Sequence, residues 1–333
     1  MKKLIYLIII VAITSSCQKA IIDDDTVKDN AITLVSNAIP LVNNIVSKEG
    51  RLIFKSKNDF NSTVKMLFDN QKGIENFESQ FPGFTSNKQA FERIDSTFLE
   101  SINYNYDLIS NYATIRETPE EKSLERVVDM NLLAYLFNDE GILQIGDSIF
   151  KFSYDFTYKF NVDKLSQLKS AKLAESTNGV IAYPNIRSRI ELPTDNLKSA
   201  QASVAELRKY YSSTKFMKCE LNRNITVLLN TLTVDTKSRK DNFLNIGFSY
   251  SVYQLYCAAT GYFKVVDSGG YSSPAYSFNV SQFRSNSVTD VQETIDSRGD
   301  GTKPEFVRGT TTGTHRIAYG QYDPIKPNEN THY

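Results

Sequence analysis

Between residues 50 and 140 the apolar positions recur at helical spacing. Phe60, Val64, Leu67 and Phe68 fall on one face of a helix starting near Asp59. Ser56 or Asn58 stands where an N-cap belongs, and Arg51–Phe54 just ahead reads as a short strand. Further upstream, Ala31 to Phe54 is broken by Pro40 and Glu49-Gly50, which favours extended segments. After the break at Phe81-Pro82-Gly83-Phe84, a second helix is predicted from Ser86, with Phe91, Ile94, Phe98, Leu99 and Ile102 as its stripe. A third is predicted after Thr118, which would cap it, with Pro119 in the first turn and Glu120 and Glu121 at the positive end of its dipole. Its stripe runs through Leu124, Val127, Val128, Leu132, Tyr135 and Leu136. Two more helices are predicted, over Val162 to Ala174 and over Asn196 to Tyr210, the latter turning Ala200, Val204 and Leu207 inward.

Elsewhere the period is two. Ile142–Ile145 and Ser148–Phe152 flank Gly146-Asp147, a hairpin signal in which Gly146 supplies positive φ. Here the text resembles a segment of lipoproteins from gut Bacteroidota: a helix, a Glu-Gly turn, then Leu143-Gln144-Ile145-Gly146-Asp147-Ser148-Ile149. The resemblance spans residues 50 to 160 and implies a secreted module of unknown function, with no catalytic residues to carry over. From Phe216 onward, Met217–Leu221, Ile225–Val234, Phe243–Ala258, Gly261–Val266 and Ala275–Val280 read as antiparallel strands. Residues 284–314, rich in Ser, Thr, Gly and Asp, read as long loops. The expected fold class is therefore α+β, with a helical N-terminal module carrying a small β-hairpin (31–212), a C-terminal antiparallel β-sandwich (213–323) and a loose tail (324–333).

The first residues change the address rather than the fold. Met1-Lys2-Lys3, an apolar run from Leu4 to Ile13 and Thr14-Ser15-Ser16-Cys17 have the three parts of a secretory signal, too short to span a bilayer. The small residues ahead of Cys17 resemble a lipobox, with Thr14 where leucine is usual, so residues 1–16 are expected to be removed and Cys17 lipidated. Ordinary cleavage beside an incidental cysteine is the alternative. Residues 17–30 form an acidic tether, whose Asp23-Asp24-Asp25 resembles the signal that sends Bacteroidota lipoproteins to the cell surface. A solvated tether explains the same acids.

Composition narrows the partners. The whole chain has 38 basic and 38 acidic residues, and loss of Lys2 and Lys3 leaves a slight acidic excess. No basic surplus exists to attract nucleic acid. The 19 tyrosines and 20 phenylalanines, against no tryptophan, favour sheet packing first and a binding surface second. Cys219 and Cys257 are left either to pair in an oxidising compartment or to sit as buried thiols.

Candidate chemistry is sparse. His315 and His332 are the only histidines, so an imidazole metal site is not expected, and no cofactor motif is present. No Gly-x-Ser-x-Gly elbow accompanies His315, and Cys219 and Cys257 lie in apolar runs that would raise a thiol pKa. Asp139, Glu140 and Asp147 are candidates for a carboxylate pair, although all three sit in turns where acids serve local hydrogen bonding. Asp296 to Gly301 is rejected as a calcium loop because Arg298 and Val307 occupy ligand positions. Its Arg298-Gly299-Asp300 reads as turn chemistry before an adhesion tripeptide. These features point to a non-enzymatic lipoprotein of the outer membrane, facing the cell surface, that binds a protein or glycan. A two-carboxylate glycan hydrolase is the alternative, and a purely structural envelope role the third reading.

Overall fold

The computed structural model describes residues 44–117, 122–168, 179–189, 206–210, 215–242, 246–288 and 290–316. In chain order these form β1 (Ile45–Lys48), β2 (Arg51–Phe54), α1 (Lys57–Asp69), α2 (Asn87–Glu92), α3 (Ser96–Ser101), β3 (Ala113–Glu117), β4 (Lys122–Arg126) and α4 (Asn131–Ala134). There follow β5 (Ile142–Ile145), β6 (Ser148–Phe152), β7 (Phe156–Asn161), α5 (Leu165–Leu168), β8 (Ile181–Pro184), β9 (Ile186–Arg189) and β10 (Glu206–Tyr210). The long strands come last: β11 (Lys215–Ile225), β12 (Asn230–Asp241), β13 (Ile246–Ser249), β14 (Val252–Val266), β15 (Tyr276–Val288), β16 (Asp290–Arg298) and β17 (Lys303–Arg316).

The strands make three sheets among the described residues. The first runs β1-β2-β5-β6-β7-β8, the second β10-β11-β12-β13-β4-β3 with β9 added to β11 and β16 to β12, and the third β15-β14-β17. Among the described residues strands hold 51% and helices 20%, so the helices decorate sheets and form no layer of their own there. This overturns the expected α+β class with its helical N-terminal module. The expected boundary at 212/213 falls between β10 and β11, which are paired neighbours in one sheet.

Local chemistry explains both agreements and corrections. Ser56 caps α1 by accepting from the Asp59 amide, and Phe60, Val64 and Leu67 are its buried face. The stripe from Phe91 to Ile102 is carried by two short helices, because Asp95 caps a new helix in its middle by accepting from the Phe98 amide at 2.8 Å. The long third helix is absent. In its place β3 and β4 pair antiparallel, from Ala113↔Arg126 to Glu117↔Lys122, and only Asn131–Ala134 is α-helical. The spacing misled because Glu125 and Arg126, which a surface helix would expose, are buried in ion pairs, and Leu132 to Phe137 are buried on every side. Likewise Glu206–Tyr210, expected helical, is an edge strand, and residues 284–314, expected as loops, are largely β15, β16 and β17. Thr118, Pro119, Glu120, Glu121 and Asn196 lie outside the described residues. The β5–β6 hairpin forms with Ile145↔Ser148 as its last pair and Gly146 at φ 57°.

Two cores matter for the site. Cys219, Leu221, Leu232, Val234, Val291 and Ile295 of the second sheet pack against Val252, Leu255, Cys257, Ala259 and Phe263 of the third. At the other end of β11 and β12 their connecting turn inserts Leu228 and Leu229 into the cluster built by the first sheet, α1 and Leu132 to Phe137. The face of β11 and β12 opposite the third sheet is polar and largely buried.

Candidate functional site

Alternation along two strands builds this polar face. Cys219 and Leu221 point to the third sheet, which turns Lys218, Glu220, Asn222 and Asn224 the other way. Opposite them on β12 stand Lys237, Asp235, Thr233 and Thr231, in the register Lys218↔Lys237, Glu220↔Asp235, Asn222↔Thr233 and Asn224↔Thr231. Two rungs thus set like charges face to face, an arrangement that repels unless opposite charges bridge it.

The bridges run diagonally and from above. Lys237 Nζ lies 3.2 Å from Glu220, and Lys218 Nζ lies 3.4 Å from the same carboxylate. Glu125 reaches in from β4, 3.1 Å from Lys218, 3.0 Å from Lys237 and 3.5 Å from Arg239. Arg116 of β3 sits 3.5 Å from Glu220. Lys218 and Glu220 are fully buried, so each ion leaves water only because several partners replace it.

The protonation states follow from these neighbours. Burial pushes the Glu125 carboxyl up, but Lys218, Lys237 and Arg239 together outweigh it and hold it well below the usual carboxylate range. Glu220 is lowered too, with Lys218 and Lys237 overcoming its burial. Asp235 goes the other way, to about 7, because burial and the facing Glu220 outweigh the Lys237 ammonium at 3.7 Å. Its Oδ2 accepts from Asn222 at 3.3 Å and from Gln292 at 3.4 Å, while its Oδ1 has no hydrogen-bond partner among the described residues. A second buried group flanks the first: Asp290 of β16 lies 3.9 Å from Lys88 and 3.8 Å from Arg126, whose charges hold it ionised against its burial.

Beside this network opens a cavity of about 200 Å³. Glu220, Asn222, Asn224, Lys237, Arg116 and Glu125 form its floor and one wall. The opposite side is Asp129, the Tyr154-Asp155 turn between β6 and β7, Asn185 and Arg187 of β9. That rim is fixed in place. The Arg187 guanidinium stacks 4.0 Å above the Tyr154 ring, lies 3.7 Å from Asp129 and donates to the Val127 carbonyl. Asn185 donates to the Ser153 carbonyl at 3.0 Å, accepts from Thr157 at 2.7 Å and donates its amide N–H to the Asp155 carbonyl.

The residues singled out by sequence lie elsewhere. Cys17 and His332 are outside the described residues. Cys219 and Cys257 are buried free thiols on facing sheets, the second of the two alternatives left open by the sequence. Burial, with Cys219 close by, pushes the Cys257 thiol well up, which removes it as a nucleophile. Asp139 and Asp147 are exposed turn residues, and neither they nor Glu140 line the cavity. His315 sits in β17 opposite Leu255. Arg298-Gly299-Asp300 belongs to the turn between β16 and β17, where Arg298 pairs with Asp296 at 2.8 Å and Asp300 accepts from Thr302. No cluster of His, Cys, Asp or Glu able to hold a metal occurs among the described residues. What sequence reasoning missed was the alternating charge on β11 and β12, whose period of two was visible but whose burial was not.

Fold and site together define a mostly β protein with a polar cleft resting on a buried ion network. Among solved structures, the chain is similar to a DUF4848 family protein from Bacteroides thetaiotaomicron, at 12% identity and a TM-score of 0.27, over 83% of this chain and 97% of that one. No family model and no curated protein matches.

Proposed function

We propose that this chain is a non-enzymatic, lipid-anchored envelope protein that binds a small polar ligand, or a polar portion of a glycan or protein, in the β9–β11 cleft. The observation that carries this reading is a cleft lined by charged, amide and phenolic side chains, most of them already held by partners: Lys237, Arg116, Glu125 and Glu220 in the ion network, Arg187 on Tyr154, and Asn185 on Ser153 and Thr157. Such preorganisation favours recognition, because binding then costs little side-chain entropy. The signal sequence, Cys17 and Asp23 to Asp25 supply the anchoring part of the proposal and its outward-facing placement.

Hydrolysis of a glycan by two carboxylates has less support. That chemistry needs one protonated and one ionised carboxyl facing the ligand. Of the four carboxylates lining the cleft, Glu125 and Glu220 are held ionised by the same lysines, Asp129 is paired with Arg187 and Asp155 is exposed, while Asp235, whose carboxyl burial pushes up to about 7, does not line it. Calorimetric titration of the mature protein with neutral sugars, sugar acids and short peptides tests the proposal. One class should bind, and Arg187→Ala should weaken it at least tenfold. No heat from any class would overturn the reading.

A further inference from the structure

The cleft's own hydrogen-bonding inventory narrows its ligand, on the premise that the cleft is a binding site. Its lining cations are already engaged. Lys237 contacts Glu125, Glu220 and Asp235, Arg116 contacts Glu220, and Arg187 contacts Asp129 while stacked on Tyr154. A carboxylate or phosphate ligand would have to compete with carboxylates fixed by the fold. At the mouth Asp155 is exposed, and a single exposed carboxylate attracts an ammonium only weakly because water screens it. Neither sign of charge is selected. Apolar ligands fare no better, because the one aromatic ring of the lining carries the Arg187 guanidinium on its face.

Asn224 marks the position that is left open. It lines the cavity, is 2% exposed, and its Oδ1 has no hydrogen-bond partner among the described residues, as is true of Asp129 Oδ1 in the same lining, which however faces the Arg187 guanidinium at 3.7 Å. A buried polar atom without a partner is costly, so a ligand group that supplies one is favoured there. An amide offers one acceptor and two donors, and a hydroxyl both donates and accepts, so it complements Asn224 whichever way the amide is turned. A volume of about 200 Å³ equals roughly seven waters, the room of one ring rather than a chain.

We propose that the cleft seats one neutral, polyhydroxylated unit, a saccharide ring, with a hydroxyl on Asn224 and a second on Asp155. Its recognition is by hydrogen bonds to fixed partners, with no net charge exchanged.

The test is an NMR titration of the mature wild-type protein, following the Asn224 side-chain amide, with glucose, galactose, mannose and N-acetylglucosamine in one arm. Galacturonate and a neutral-pH dipeptide form the other arms. A neutral sugar should shift the Asn224 amide signal saturably, and Asn224→Leu should weaken that binding at least tenfold in calorimetry. Saturable binding of galacturonate or dipeptide with no response to any neutral sugar would overturn this inference and leave the binding reading standing. Binding of none would overturn both. The wild-type signal is the primary readout, so the inference stands or falls on the neutral-sugar titration of the wild-type protein even where Asn224→Leu does not fold.

Discussion

Single side chains carry most of the consequence. Asp235, raised to about 7 in the folded chain against an ordinary 3.8, binds a proton that the unfolded chain has released between those values. Its contribution to stability is thus present below about pH 4 and lost as pH rises toward 7. Asp235→Asn keeps an acceptor for Asn222 and Gln292 without the ionisable proton, so it should raise stability at pH 8 by on the order of 1 kcal/mol or more. That gain should shrink at pH 5, a comparison that thermal melts at the two pH values will make. Glu125, Glu220 and Asp290 have the opposite sign: their pKa values are lowered, so they stabilise above about pH 4.5 and lose that effect in acid. Glu125→Leu should cost about 3–5 kcal/mol, measurable by urea unfolding at pH 7, because Lys218, Lys237 and Arg239 lose a shared anion. None of this was legible in the sequence. Lys218, Glu220, Asp235 and Lys237 look like the solvated face of a half-exposed strand, and only long-range pairing with β4 buries them.

Elements were legible where their instructions are local. The β5–β6 hairpin, the cap at Ser56 and the strand at Arg51–Phe54 each rest on neighbours within a few residues, and each stands where the pattern put it. The reading failed where tertiary pairing overrode spacing. Leu124, Val127 and Val128 fit a helical stripe, yet β4 is drawn into the second sheet by parallel pairing of Lys122 and Ser123 with Ile246 and Gly247 of β13. Gly141, after α4, is a further local instruction that spacing does not reveal. Its φ is +70°, and a Cβ there would stand 2.8 Å from the Phe152 carbonyl oxygen. Gly141→Ala should therefore destabilise by about 1–3 kcal/mol, read as a lowered urea midpoint with unchanged slope. In the turn between β11 and β12, Leu229→Ala should cost about 2–5 kcal/mol, since that side chain anchors the polar strands in the first core.

At the scale of the molecule, the described residues fall in one unit by their contacts, and the second sheet draws strands from residue 113 to residue 298. A fragment ending at residue 212 would leave β3, β4 and β10 without β11 to β13. Expressed alone, that fragment should show neither a cooperative melt nor native sheet signal in circular dichroism. The same interleaving shapes the cleft, whose walls come from the first sheet's β6–β7 turn and from the second sheet. Its candidate residues were therefore out of reach of motif reading: Arg116, Asn185 and Asn224 lie far apart in sequence and share no spacing rule. The central claim, that ligand is held in this cleft, is tested most directly by hydrogen exchange of the mature protein with and without its bound saccharide. Slowed exchange confined to residues 153–155, 185–187 and 222–224 is the predicted result. Protection over Tyr262, Tyr276 and Phe283, exposed aromatic residues of the third sheet, with the cleft unchanged, would contradict the account.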